Sequence, residues 1–262
     1  MLQNFVVASL IILVPAVAYV KKALSISASF LAALMIFVAS TASLNHAIFL
    51  VIAFLLISGL DKVCKKRTVE ADRNITQKVG TRDFIQVFVN GGVSMICVLL
   101  WHLTHNRTFL LCFASALVES LGDSSASDIG IASNQQAFDI CRFRSIPIGL
   151  SGGITIAGTL GCFAACLILS CVAYALRIAN TRYETVILVL SSFLGCIIDS
   201  VLGSLIQRKN KCAVCGRITE KSIHCNKSTL FYSGCKKINN DVVNLMCNAF
   251  SASCVLLISR LL

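Results

Sequence analysis

The sequence predicts an all-α fold, a polytopic membrane helix bundle of about eight transmembrane helices. Two observations carry that expectation. The 262 residues are 56% hydrophobic and only 13% charged, with a mean hydropathy of +0.82; soluble domains carry about 25% charged residues, and a chain this apolar has too little polar surface to cover its bulk in water. The apolar residues also fall in runs long enough to cross a hydrocarbon core, which takes about 20 residues of helix.

The first run, 2–20, contains Ala16-Val17-Ala18, which resembles a signal-peptide cleavage site. No basic residue precedes it, however, and Lys21 and Lys22 follow it. That order predicts a retained span rather than a cleaved leader. The runs 23–41 and 44–60 are nearly free of polar residues and read as scaffold or lipid-facing helices. Further spans are expected at 84–101, 108–121, 150–176, 185–205 and 242–261. Residues 1–262 therefore read as a single integral membrane domain. Three links, 61–83, 122–149 and 206–241, are long enough to carry function.

The net charge of +11 is explained by topology. If the first link is cytosolic, the basic clusters Lys21–Lys22, Lys62 to Arg82 (with Arg67, Arg73 and Lys78), Arg142–Arg144 and Arg208 to Lys237 all lie inside. Of the 23 Lys and Arg, only Arg107, Arg177, Arg182 and Arg260 then fall outside. Positive charge collects in cytosolic loops, so all three long links are expected to be cytosolic and both termini exofacial. A nucleic-acid partner is not expected. The six loop cysteines are then cytosolic, where disulfides are rare. The glycosylation sequons at Asn74, Asn106 and Asn226 are expected to be idle, two being on the wrong side and Asn106 in a very short link.

The polar residues within this apolar frame are patterned. Asp123 and Asp128 stand among small residues in Gly122-Asp-Ser-Ser-Ala-Ser-Asp-Ile-Gly130, behind Glu119. Such a stretch suits a hard divalent cation, which prefers carboxylate oxygens, and equally a helix cap. Gly149-Leu-Ser151-Gly152-Gly153-Ile-Thr155 leads the next span. Its amides are an anion candidate, with Arg142 and Arg144 nearby, although GxxxG-type packing is the plainer account of some of its glycines. Gly195, Asp199, Gly203 and Gln207 recur every four residues. Gln86, Asn90 and Ser94 do the same beside Gly91 and Gly92, and Asp241, Asn244 and Asn248 share a face of the last span. An intramembrane carboxylate such as Asp199 is functional by default. Ser94 and Asn248 read as interhelical hydrogen-bond glue, and the remainder as a polar pocket in the cytosolic half of the bundle. The last link holds Cys212-Ala-Val-Cys215 and His224-Cys225, a set that would make a Cys3His zinc site or would simply be reduced cytosolic residues.

Taken together, these elements resemble the transmembrane protein 19 family, also called domain of unknown function 92. The resemblance runs from about residue 80 to the end. It is carried by Gln86-Val-Phe-Val-Asn90-Gly91-Gly92, Asp123-Ser-Ser-Ala-Ser-Asp128-Ile-Gly130, Gly149 to Thr155, and Asp199-Ser-Val-Leu-Gly203 with Gln207. The Cys/His set and Asn239-Asn240-Asp241-Val-Val-Asn244 complete it. Asp128 stands where the family has glutamate, Ser124 where it has threonine, and Leu150-Ser151 where it has Thr-Asn. Within this family the best-understood branch resembles plant phytyl-phosphate kinase. The resemblance implies magnesium-dependent phosphoryl transfer from a nucleoside triphosphate to an isoprenoid (phytyl- or prenyl-like) monophosphate at the cytosolic face. It further implies that Asp123, Asp128 and Asp199 hold Mg2+, that Gly152, Gly153, Ser151 and Arg144 cradle phosphate, and that Gln86, Asn90, Gly91, Asn240, Asp241 and Asn244 line or orient the substrate site. Two other readings remain: a transporter of a small ion or anionic lipid, and a non-catalytic scaffold with a structural Zn2+ at Cys212, Cys215, His224 and Cys225.

Overall fold

The computed structural model describes residues 2–66 and 80–261. Arg67, Arg73, Asn74 and Lys78, used above for charge and sequons, lie outside the described residues. Within them run eight α-helices: α1 (Leu2–Val20), α2 (Ile26–Ala42), α3 (Leu44–Lys65), α4 (Phe84–Thr104), α5 (Thr108–Ala132), α6 (Ile156–Ala175), α7 (Arg182–Leu205) and α8 (Asn240–Leu261). Seven are apolar over at least 18 residues; α2 has 17, which still rises roughly 26 Å, near the thickness of a hydrocarbon core. Polar side chains start several of them. Ser25 Oγ accepts the Ala28 amide before α2, the Asp83 carboxylate accepts the Gln86 amide before α4, and Thr155 Oγ1 accepts the Gly158 amide before α6. Each satisfies a donor that the first helical turn leaves free.

α5 is the axis of the bundle, packing against α3, α4, α6, α7 and α8, and its span is the most buried of all. Around it lies one continuous core built on Phe49, Phe113, Val118, Leu169 and Leu188. Hydroxyls and amides tie the helices together within this core. Ser115 Oγ is 2.6 Å from Ser251 Oγ and 3.3 Å from Ser192 Oγ. Ser94 Oγ donates to the Phe113 carbonyl, and Asn248 Nδ2 donates to the Asn244 and Val89 carbonyls. That is the glue expected of Ser94 and Asn248.

The connections sort to two ends. At one end the short links meet: Asn45 Nδ2 donates to the Leu176 carbonyl, Thr41 bonds His102, and Arg107 clamps Glu184 at 2.7 Å. At the other end the α1–α2 turn pairs with the residues before α4, Leu24 bridging Arg82. The two long described links fold there too. One forms a three-stranded sheet, β2-β1-β3, from β1 (Ala137–Asp139), β2 (Ser145–Ile146) and β3 (Gly153–Ile154). The other forms a ribbon, β5-β4-β8, from β4 (Lys209–Lys211), β5 (Ile218–Thr219) and β8 (Leu230–Ser233), with the hairpin β6 (Ile223–His224) and β7 (Lys227–Ser228).

Three expected boundaries are corrected. The fifth span does not stop at 121: α5 continues to Ala132, so Asp123 and Asp128 are helical residues and not caps, and the link at 122–149 is shortened from its start. The continuation is held by packing against α6, because a Cβ on Gly158 would meet the Ala126 carbonyl at 2.6 Å. The sixth span begins at Ile156 and not at 150, since 149–155 is turn and strand. The third span runs on to Lys65.

Candidate functional site

At the end that carries the long links, the bundle opens into a cavity of about 370 Å³. All three predicted aspartates line it, Asp123 and Asp128 from α5 and Asp199 from α7. Gln86 and Asn90 of α4, the segment Ser151–Gly153 and Asn240 of α8 reach it as well. Asn244 stands one step behind. Its Nδ2 donates to Asn90 Oδ1 at 3.3 Å and its Oδ1 accepts from Asn240 Nδ2 at 3.0 Å, so it orients two lining amides.

Three predicted residues lie outside this wall. Gly91 faces a separate, smaller apolar pocket. Asp241 accepts from Asn239 Nδ2. Arg144 is exposed on the β1–β2 hairpin, where its carbonyl accepts the Asp139 amide. The cations that do line the cavity are Lys65 and Arg82, accompanied by Asp61 and Glu220. Lys65 pairs with Asp61 at 2.7 Å, and both sit within electrostatic reach of Asp128, as does Arg82. In the sequence Lys65 and Arg82 are indistinguishable from topology markers. Only the return of residues 80–82 onto the α1–α2 turn brings Arg82 to the mouth.

Three of the four residues of the α7 stripe face this site, whereas Gly195 packs against Glu119, Ser251 and Cys247 in the core. Asp199 reaches the cavity, Gly203 packs on the Gly152 amide nitrogen, and Gln207 Nε2 donates to Ser151 Oγ at 2.8 Å. The glycine segment is therefore clamped against α7. Two of its amides are engaged: Gly153 donates to the Leu150 carbonyl, and Ser151 donates to Glu220 Oε1 at 2.8 Å. Ser151 is thus the amide that meets an anionic group.

Beneath the hairpin lies Asp139, a buried carboxylate that sequence reasoning passes over. Ser204 Oγ donates to it at 2.6 Å, as do the amides of Cys141 and Arg142 and the Arg142 guanidinium. Burial alone would raise this carboxyl, yet the hydrogen bonds outweigh it and hold Asp139 down at about 2. Arg142 also donates to the Ser204 carbonyl at 2.8 Å, closing the C-terminal end of α7. Lys209 of β4 is buried close by, and that burial lowers its ammonium below the usual lysine range against the pull of Asp139 and Glu220.

Among the described residues no three carboxylates bring their oxygens within 4.8 Å of one another, whereas two sets that include thiols do. Cys162, Cys166 and Cys196 surround Gly122, where a Cβ would meet two of the sulfurs at 2.7 and 2.8 Å; they fill the space that the glycine leaves. Cys212, Cys215, His224 and Cys225 form the second set, in the ribbon. There Cys212 is held down to about 6, by the Cys215 amide first and the Val214 amide after it, against the cost of burial.

The aspartates line one cavity without forming a closed cage. Mg2+ keeps several waters and is commonly held by one or two carboxylates together with substrate phosphates. A hard-oxygen donor set of Asp123, Asp128, Asp199 and Asn90, spread around an open cavity, fits that manner of binding.

Comparison with known proteins agrees with the architecture. The chain is 27% identical over 254 residues to Protein PGR of Arabidopsis thaliana, covering 87% of this chain and 86% of that one. It is 24% identical over 204 residues to Protein VTE6, chloroplastic, of the same plant, covering 76% of this chain and 54% of that one. An uncharacterized membrane protein of Synechocystis matches 38% of the chain at 28% identity. No solved structure matches. The family model described as integral membrane protein DUF92 matches residues 9–252, and with that span of agreement the chain belongs to the DUF92 family of integral membrane proteins.

Proposed function

We propose that this chain transfers a phosphoryl group from a nucleoside triphosphate to an isoprenoid monophosphate, with magnesium, at the end of the bundle that carries the long links, and that this end faces the cytosol. One observation carries the reading. The acid-lined cavity adjoins a narrow apolar pocket of about 70 Å³ between α1, α2, α3 and α4, and Arg82, Gln86 and Asn90 line both. A phosphate head with an apolar tail needs that juxtaposition, and a substrate polar throughout does not. The motif resemblance to plant phytyl-phosphate kinase points the same way, and the match to Protein VTE6 is consistent with it.

In this reading Arg82 and Gln86 take the lipid phosphate at the junction, and the tail enters between Met35, Phe54 and Ile57 and continues into the bilayer. Asp123, Asp128 and Asp199 hold the metal. A magnesium ion held there would supply positive charge against the charge that develops on the transferring group. An oxygen of the lipid monophosphate forms the new P–O bond to the terminal phosphorus as the P–O bond to the nucleoside diphosphate breaks. A phosphomonoester is largely ionised at neutral pH, its second pKa being about 6, so the attacking oxygen needs no protein base. That suits a cavity whose lining contains no histidine among the described residues. Lys65 and Arg82 supply the fixed positive charge that two approaching anions require.

The transport alternative requires a polar path through the other half of the bundle. Fully buried Phe49, Phe113 and Leu188 pack that half, and its buried Ser115, Ser192 and Ser251 hydroxyls bond one another, which favours transfer. The test is purified protein in detergent with terminally labelled nucleoside triphosphates, Mg2+ and a panel of prenyl monophosphates of increasing length. The expected result is a labelled prenyl diphosphate that disappears with Asp123→Ala. Absence of labelled lipid with every nucleotide and every chain length would refute the proposal.

A further inference from the structure

The segment between α7 and α8 is a ribbon of short strands with very little core of its own. Four ligand-type side chains in it converge: Cys212 and Cys215 from the turn after β4, and His224 and Cys225 at the tip of the β6–β7 hairpin, with their ligand atoms all within 4.8 Å of one another. His224 Nδ1 is 3.2 Å from Cys225 Sγ and 3.6 Å from Cys215 Sγ. The first pair has the backbone of a metal knuckle: the Val214 amide donates to Cys212 Sγ, the Gly216 amide donates to the Cys212 carbonyl, and Gly216 takes φ +71. The second pair is adjacent in sequence, an uncommon ligand spacing. The hairpin accounts for it, because Cys225 and Asn226 both have positive φ, as a two-residue type I′ turn requires. That turn swings the Cys225 sulfur back toward the histidine ring. Three thiolate sulfurs and one imidazole nitrogen around a common centre are the donor set of a closed, tetrahedral zinc site.

The ribbon is also attached to the cavity. Glu220 directly follows β5, lines the cavity wall, and accepts the Ser151 amide at 2.8 Å. Its neighbour Lys221 is held by its carbonyl, which accepts from Asn210 Nδ2 and from Thr229 Oγ1. β5 lies between the knuckle and the hairpin, so the four ligands bracket Glu220 in the chain.

We infer that Cys212, Cys215, His224 and Cys225 bind one structural zinc ion, and that the ribbon it closes seats Glu220 against the Ser151 amide at the cavity rim. The zinc site stands independently of the phosphotransfer reading; the rim contact rests on that reading only for its importance to turnover. With all four positions taken by protein the ion has no open coordination site, so its role is to fix the ribbon and not to act on substrate.

The test uses the full chain, purified reduced in detergent without chelator, with metal content measured by mass spectrometry. About one zinc per chain is expected, lost in Cys212→Ser and in Cys225→Ser and retained in Cys235→Ser, a thiol of the same segment outside the cluster. Cobalt exchanged into the wild-type protein should give the visible bands of tetrahedral thiolate coordination. Wild-type chain that holds no zinc and shows no such bands on reconstitution overturns the site, whether or not the variants fold. For the rim contact, hydrogen exchange is followed at the Ser151 amide. Glu220→Ala, which leaves all four ligands in place, should keep its zinc and speed that exchange about tenfold, the loss of one charged hydrogen bond; zinc removal from the wild type should do the same. Unchanged exchange in zinc-loaded Glu220→Ala overturns the coupling. Neither readout depends on kinase activity, so failure here is distinct from failure of the phosphotransfer proposal.

Discussion

Gly152 rests on Ser204 so closely that a Cβ on it would lie 2.5 Å from both the backbone nitrogen and the Cα of Ser204, and its φ of +85 already excludes most side chains. The contact joins the glycine segment of the cavity wall to the end of α7, 52 residues further along the chain. Gly152→Ala is expected to force the two apart, at about 1–3 kcal/mol for overpacking, and to abolish turnover, because Ser151 and Asp199 then lose their common frame. Gly59→Ala is the control: nothing lies within 4 Å of that Cβ, so thermal stability should hold or rise. Melting temperature and activity of the two variants in the same detergent check this.

Asp139 gives a pH signature. Its carboxyl titrates at about 2 in the folded protein, below the ordinary aspartate value of about 3.9. Ionised Asp139 therefore contributes its full stabilisation above about pH 4, and the contribution fades only as the pH falls toward 2. Asp139→Asn should lower stability by about 1.5–3 kcal/mol, the range for hydrogen bonds to a charged group. Part of this is discounted because the partner Arg142 is 41% exposed. The gap between wild type and variant should be flat from pH 8 to about 4. A gap that closes already between pH 6 and 5 would contradict this assignment.

Much of this arrangement was legible in the chain, and the reasons for the gaps are physical. Hydropathy located every helix of the described residues, since the contrast between apolar runs and charged links is what a bilayer selects. Helical spacing placed Asp199, Gly203 and Gln207 on one face; Gly203 and Gln207 do meet the glycine segment, and Asp199 reaches the cavity beside it. The end of α5 was not legible, because 122–130 is small and polar and lacks apolar periodicity; Gly122 among three sulfurs and Gly158 against Ala126 hold it in helix. Asp139, Glu220 and Arg82 were missed for a related reason. Each acts through a partner distant in sequence (Ser204, Ser151 and the α1–α2 turn), and no local pattern announces such a partner. Arg144 was chosen by proximity to the glycines, but the β1–β2 hairpin turns it outward.

The apolar pocket makes a prediction about selectivity. Gly91 and Met35 both line it, and a Cβ on Gly91 would meet Met35 Sδ at 2.9 Å. The methionine is flexible and can yield, so Gly91→Ala should fold normally while narrowing the pocket. One methylene-sized loss of apolar burial is about 0.8 kcal/mol, so KM for a prenyl monophosphate should rise about fourfold with KM for the nucleotide unchanged. Steady-state kinetics varying each substrate in turn will separate the two. An equal rise in both would place the tail elsewhere.

Asp199 and Asp61 line the same cavity but should respond oppositely to neutralisation. Asp61 is tied to Lys65 one helical turn away in an ion pair with partly exposed partners, a kind worth only a few tenths of a kcal/mol; Asp61→Asn should leave turnover within about threefold. Asp199 is a carboxylate carried on a membrane-spanning helix, an arrangement that is expensive to maintain without a functional return. Asp199→Asn preserves shape and removes the charge, so the melting temperature should hold or increase. Turnover, in contrast, should fall by about 100-fold or more, the scale on which loss of one electrostatic group in a preorganised site is felt. The Mg2+ concentration required for half-maximal rate should rise in Asp199→Asn and stay unchanged in Asp61→Asn. If Asp199→Asn instead lowers stability while any residual rate keeps the wild-type Mg2+ dependence, Asp199 is a structural partner of Cys247, to which its side chain is hydrogen-bonded, and Asp123 and Asp128 must hold the metal without it.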